Sequence, residues 1–116
     1  MSQYETLARF ERDGLWIVVD KTWEETPLED CFDDTCYQLE RMRWQIENGD
    51  LDWFMLRVRA FVEDVELSSS YLGGCLYESP VQVLEDGTVD DLLTEVIPEA
   101  QRRARTLYER LDRFAI

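Results

Sequence analysis

Residues 53–77 read WFMLRVRAFVEDVELSSSYLGGCLY. Residues 53–62 carry the clearest strand pattern in the chain. Phe54, Leu56, Val58, Ala60 and Val62 point one way, and Trp53, Met55, Arg57, Arg59 and Phe61 point the other, because successive side chains of a strand alternate between its faces. A second run follows at 65–71, with Val65, Leu67 and Tyr71 on one face. With Glu63-Asp64 as the turn, Val62 is expected opposite Val65, Ala60 opposite Leu67 and Leu56 opposite Tyr71. That register joins the two apolar faces, as a half-buried hairpin requires. It leaves Arg57 and Arg59 on the second face beside Ser70 and Ser68. At Asp64 a glycine would suit a turn of positive φ better. Gly73-Gly74 then interrupts the second strand, which reads as a bulge, a bend or a close approach by another backbone. Ser79-Pro80 ends the sheet.

Towards the N-terminus, LWIVV at 15–19 is a short apolar run, expected to be a buried strand. Two readings compete for residues 3–12. Thr6, Ala8 and Phe10 alternate on a strand, with Asp13-Gly14 as a two-residue hairpin turn. Alternatively Ser2 and Glu5 form a capping box and Tyr4, Leu7 and Phe10 share a helix face. The hairpin is slightly preferred. Residues 22–32 are acidic and irregular, and Pro27 could open a short helical turn. A helix is expected over about 34–48: Cys36, Leu39, Met42 and Ile46 recur on one face, Asp33 or Asp34 caps the start, and Asn48-Gly49 ends it.

Towards the C-terminus, Val89, Leu93, Val96, Ala100, Ala104, Leu107, Leu111 and Phe114 are spaced three or four apart across residues 88–114. Thr88 with Asp91 fits a capping box, and Pro98 predicts a kink or two abutting helices. A straight helix of this span is about 40 Å long, more than the domain it belongs to. Its end must bend back or project, and a projecting end would give a homodimer contact. The expected fold is a single α+β domain over 1–116: a small antiparallel sheet of three or four strands with the two main helices packed on one face.

Of 116 residues, 26 are acidic, 12 are basic and none is histidine, for a formal net charge of -14; 45% are hydrophobic and 12% aromatic. The apolar share supports a core and argues against full disorder. Direct nucleic-acid binding is disfavoured, because phosphate recognition needs clustered Lys and Arg, and so is binding to an anionic membrane. Histidine-based catalysis and Cys/His zinc sites are excluded. No stretch approaches the roughly 20 apolar residues of a membrane span, and MSQYETLARFERDG lacks the basic start and apolar run of a signal peptide. The expected compartment is the cytoplasm, that of a host cell. Cys31, Cys36 and Cys75 are then free thiols, mostly buried.

The charge is unevenly placed. Residues 1–59 carry a balance of -7, residues 60–101 carry ten acids and no base, and residues 102–116 carry +3. A second acidic run, from Asp20 to Asp34, has seven acids against Lys21 alone. Part of this is ordinary. Asp90, Asp91 and Glu95 precede the arginines of the last helix as its dipole prefers, and loop acids aid solubility. The sharper reading starts from cost, since so large a net charge destabilises a compact domain by self-repulsion. A basic partner would offset that. Carboxylates on a rigid surface can imitate the phosphates of a duplex, which carries one charge per about 1.7 Å of axis. The candidate contacts are Glu63, Asp64 and Glu66 at the hairpin tip, Glu85, Asp86, Asp90 and Asp91 around the last helix start, and Glu24, Glu25, Glu29 and Asp30 in the loop.

Catalytic candidates fare worse. Adjacent acids such as Glu24-Glu25 or Asp90-Asp91 diverge on any regular element, so none makes an acid/base dyad. Asp50 and Asp52 could contribute to a divalent metal site, but acidic turn residues are common between elements. Cys75 has only acids nearby, which would raise its pKa, and reads as a packing residue. The expectation is a non-enzyme with no cofactor and no metal. Trp16 and Trp53 are assigned to the sheet. Tyr37 and Trp44 are assigned to packing against its edge rather than to an exposed anchor. Arg57, Arg59, Met55 and Phe61 form an apolar patch with two arginines if nothing covers the second face.

Residues 52–77 (DWFMLRVRAFVEDVELSSSYLGGCLY), with VLEDGTVDDLL at 83–93, resemble small uncharacterised proteins carried by bacterial phages and conjugative elements. The shared pattern is an aromatic strand with arginines, a V-E-L strand, and L-G-G-C-x-Y before an acidic helix. It covers roughly half the chain and transfers no catalytic residue. It implies genomic company among which anti-CRISPR and anti-restriction proteins are found. The expected function is a non-enzymatic inhibitor of a bacterial defence complex, setting acidic surface on a basic nucleic-acid-binding site. The alternative is a protein–protein module (immunity protein, antitoxin or accessory subunit) that binds through an aromatic and apolar face.

Overall fold

The computed structural model describes residues 3–30 and 39–114. The expected cap at Asp33 or Asp34, and Cys31, Cys36 and Tyr37, lie outside the described residues. The chain forms strands β1 (Glu5–Arg12) and β2 (Leu15–Trp23), a 3-10 turn (Leu28–Asp30), helix α1 (Leu39–Glu47), strands β3 (Asp52–Val62) and β4 (Val65–Tyr77), a second 3-10 turn (Pro80–Leu84) and helix α2 (Thr88–Asp112). The four strands make an antiparallel meander in chain order. The α+β class is as expected.

The hairpin reading holds at the N-terminus. Asp13 (φ 54°) and Gly14 (φ 79°) both take left-handed conformations, the pair that a tight turn matched to strand twist requires. The expected alternation of Thr6, Ala8 and Phe10 does not hold, because a register shift at Leu7 separates Thr6, opposite Asp20, from Ala8, opposite Val19. β2 also runs further than LWIVV, through Asp20 to Trp23.

The β3–β4 hairpin begins as expected, with Val62 opposite Val65. A shift then puts Ala60 opposite Ser68, Leu56 opposite Leu72, Arg57 opposite Tyr71 and Arg59 opposite Ser69. The expected pairings Ala60–Leu67 and Leu56–Tyr71 are thereby corrected by one residue. The cause is a bulge that leaves Leu67 and Ser68 both buried, as happens when two residues oppose one. Burial of Ser68 is compensated by its Oγ, which donates to the Val96 carbonyl of α2 at 2.7 Å. The positive φ of the turn falls on Glu63 (φ 53°). A second shift at Gly73-Gly74 opposite Met55 is the expected interruption.

One face of the sheet packs Ile17, Val19, Phe54, Leu56, Val58, Ala60, Leu67 and Cys75 against Val83 and the Val89, Leu93, Val96, Ala100 stripe of α2. The helices divide their burial. α1 joins Leu39, with Met42 and Ile46, to a separate cluster around Leu28 and Trp53, and Trp53 points away from Phe54. Trp53 Nε1 donates to the Thr26 carbonyl at 3.1 Å. Gly49 (φ 83°) closes α1.

α2 runs unbroken through Pro98 for 25 residues, about 37 Å. Pro98 and Thr94, whose carbonyl loses a donor, are both exposed, so solvent can serve that carbonyl. The expected Thr88–Asp91 capping box is absent: Gly87 precedes the helix, and the Asp86 carboxylate accepts from the Thr88 N–H at 2.9 Å. The molecule measures 64 × 29 × 23 Å. Beyond Ala104 the stripe residues Leu107, Leu111 and Phe114 are exposed, so the end of α2 projects.

Candidate interaction surfaces

The second sheet face is held by a buried ion cluster. Asp20 on β2 is 1% exposed. Its Oδ2 accepts from Arg57 Nε at 3.0 Å and Arg59 Nη2 at 2.8 Å, and its Oδ1 from the Thr6 hydroxyl at 3.2 Å. The Arg57 guanidinium lies 3.5 Å over the Tyr4 ring, and Arg59 Nη1 lies 3.6 Å from Glu66. Asp20 therefore does not belong to the acidic surface run in which the sequence places it. Lys21 pairs with Asp52 and, at 3.6 Å, with Glu5. That removes Asp52 from a metal site, and no group of three metal-type ligands occurs among the described residues.

Glu24 is also not a surface contact. It is 8% exposed, and its carboxylate accepts from the Gly74 N–H at 2.8 Å and the Thr26 N–H at 3.1 Å. Burial opposes its ionisation, but the N–H groups of Gly74 and Thr26 and the Thr26 hydroxyl outweigh it and hold the pKa below its ordinary value. This carboxylate explains the glycine pair. A Cβ at Gly73 would lie 2.9 Å from Glu24 Oε2, and Gly74, at φ 68°, turns its N–H to the acid. The close approach is by a side chain, not by another backbone.

Other candidates are exposed but engaged. Glu29 accepts from Arg43 at 2.7 Å, which lowers its pKa. Asp86 accepts from the Tyr77 hydroxyl at 2.6 Å, and that bond, with those from Thr88, lowers its pKa. Asp90 pairs with Arg12 at 3.1 Å. Glu25, Asp30, Glu63, Asp64, Glu85 and Asp91 are exposed with no side-chain partner among the described residues.

The meander sorts these acids in space. Both hairpin turns, Asp13-Gly14 and Glu63-Asp64, lie at one end of the sheet. At the opposite end Glu24 is bound by Gly74 and Asp86 by Tyr77, on either side of Cys75 in β4. Burial first, and then the charges of Glu24 and Asp86, push the Cys75 thiol up to about 11, which favours the neutral thiol at neutral pH. At this acidic end an open groove of about 300 Å³ is lined by Trp23, Pro27, Ile46, Glu25, Glu29 and Arg43, among others. Trp23 is 64% exposed, and the sequence offered no sign that it would line a groove. Trp44, expected to pack, is 60% exposed, because α1 turns Leu39, Met42 and Ile46 inward instead.

No helix among the described residues is long and apolar enough to cross a membrane. No family model, no curated protein and no solved structure matches this chain.

Proposed function

We propose that this protein is a non-enzymatic inhibitor of a bacterial defence complex and places acidic surface on a basic nucleic-acid-binding site of its target. The observation that carries the reading is that two acidic segments about sixty residues apart in the chain both reach the end of β4, through Glu24 at Gly74 and Asp86 at Tyr77. Glu25, Asp30 and Glu85 supply carboxylates in these segments that are exposed and have no side-chain partner among the described residues. Glu29 and Asp86 add exposed charge that is locally paired or hydrogen-bonded, whereas Asp90 pairs with Arg12 beside the Asp13-Gly14 turn. The Trp23 groove, lined by Glu25, Glu29 and Glu47, fits a lysine or arginine of the target, held by the ring face and flanking carboxylates. Glu63, Asp64 and Glu66 form a separate acidic end and contribute through the long-range field.

The test is capture of defence effector complexes from nuclease-treated bacterial lysates across a salt series. A basic nucleic-acid-binding protein released steeply by salt is expected. The triple charge reversal Glu25→Lys, Asp30→Lys, Glu85→Lys should weaken that complex by at least about 100-fold, since each close charge pair is worth about 1.5 kcal/mol or more. Retained binding by the triple variant rejects the mimicry. A second reading, an apolar-interface module, is favoured by the exposed rings of Trp16, Trp23 and Trp44. It predicts a partner that resists salt and is lost on Trp→Ala substitution.

A further inference from the structure

We infer that the projecting end of α2 is a homodimer contact, in which the stripe of Leu107, Leu111 and Phe114, with Tyr108 beside it, packs on the same stripe of a second copy. The residues continue the spacing by which Val89, Leu93, Val96 and Ala100 enter the core. The sheet covers the first half of this one stripe and stops. The Arg103 guanidinium marks the limit, donating to the Leu67 carbonyl at 3.0 Å. Past it, Tyr108 is 71% and Phe114 84% exposed. A helix in water keeps such a stripe only where something covers it.

Area and charge select a second copy. Aromatic side chains bury about 150–250 Å² each. The four rings that two copies bring, with their leucines, approach the roughly 1,000 Å² that a specific interface needs. Two chains of charge -14 repel each other, and the repulsion is weakest where acid does not dominate. Residues 102–116 carry +3, and Arg102 and Arg103 are already held by Glu99 at 2.5 and 3.0 Å. A contact at the tip of a 64 Å molecule also keeps the acidic bodies apart by more than the Debye length of about 8 Å. The same patch on both partners is what a two-fold interface uses.

The inference stands independently of the inhibitor reading, and salt separates them. Because the contact is apolar and like charge opposes it, added salt should preserve or tighten the dimer, whereas it releases the acidic target contact. Sedimentation equilibrium on the full chain should give twice the 13.8 kDa monomer mass. Leu111→Glu with Phe114→Asp should weaken the dimer by at least about 100-fold, because each lost contact is made twice. Circular dichroism should show the double variant folded, both side chains being exposed in the monomer. A wild-type chain that stays monomeric at high protein concentration, a dimer that survives the double substitution, or a dimer dissolved by salt each overturns the inference.

Discussion

At the scale of single residues, two acids that look like surface charge in the sequence are internal. Asp20 ends an apolar run and begins an acidic one, so its spacing alone fits either role. Arg57 and Arg59, on the neighbouring strand, decide it. Asp20→Ala should cost about 3–5 kcal/mol in denaturant unfolding, because it strands two half-buried guanidiniums. A cost under 1 kcal/mol would mean that solvent already satisfies them. Glu24 carries a pH dependence. Its folded pKa lies below the ordinary 4.5, so the carboxylate favours the fold fully above that value, and the contribution fades as pH falls through the folded value. Glu24→Gln should therefore destabilise the protein by about 1–3 kcal/mol at pH 7. The gap to wild type should narrow below about pH 4.5. A constant gap across that range would show that packing, not charge, is what the substitution removes.

At the scale of elements, alternation identified β3 and the start of β4, and the three-four spacing identified α2. Register was less legible. The pairing past Val62 shifts by one at Leu67-Ser68, and a run of three serines gives periodicity nothing to read. The shift is stabilised by a contact the local sequence does not contain, the Ser68 hydroxyl on the Val96 carbonyl. The turn carries its own cost, since Glu63 sits at φ 53°, where a side chain with a Cβ is disfavoured by roughly 1–2 kcal/mol. Glu63→Gly should raise stability by up to about 1 kcal/mol, after the entropy that glycine loses. A fall in melting temperature would mean that the side chain itself steadies the hairpin. The start of α2 was misread for a related reason. Thr88 has the chemistry of a cap, but Tyr77 holds Asp86 in place to serve the helix N-terminus.

At the scale of the whole molecule, the charge is both a liability and the proposed means of binding. The acidic end of the sheet and the arginine-bearing tip of α2 are separate, so opposite responses to salt are expected at the two contacts. The proposed target complex weakens and the proposed dimer holds or tightens, which one salt series on both equilibria would read. Parallel responses would mean that the two surfaces are not the independent contacts described. What the residues settle by themselves is the fold class. Strand alternation in 53–62 and the helical stripe of 88–114 are local, the acidic excess is compositional, and local chemistry is enough to read them. What only the tertiary structure decided is which acids are available. Asp20, Glu24 and Asp52 turn to partners thirty-one to fifty residues away, while Glu24 and Asp86 are brought to Gly74 and Tyr77 at the end of β4. The reason is that a carboxylate's role depends on the donors that face it. In a four-stranded meander those donors come from neighbouring strands, whose register is fixed by bulges and packing and not by any spacing within a single element.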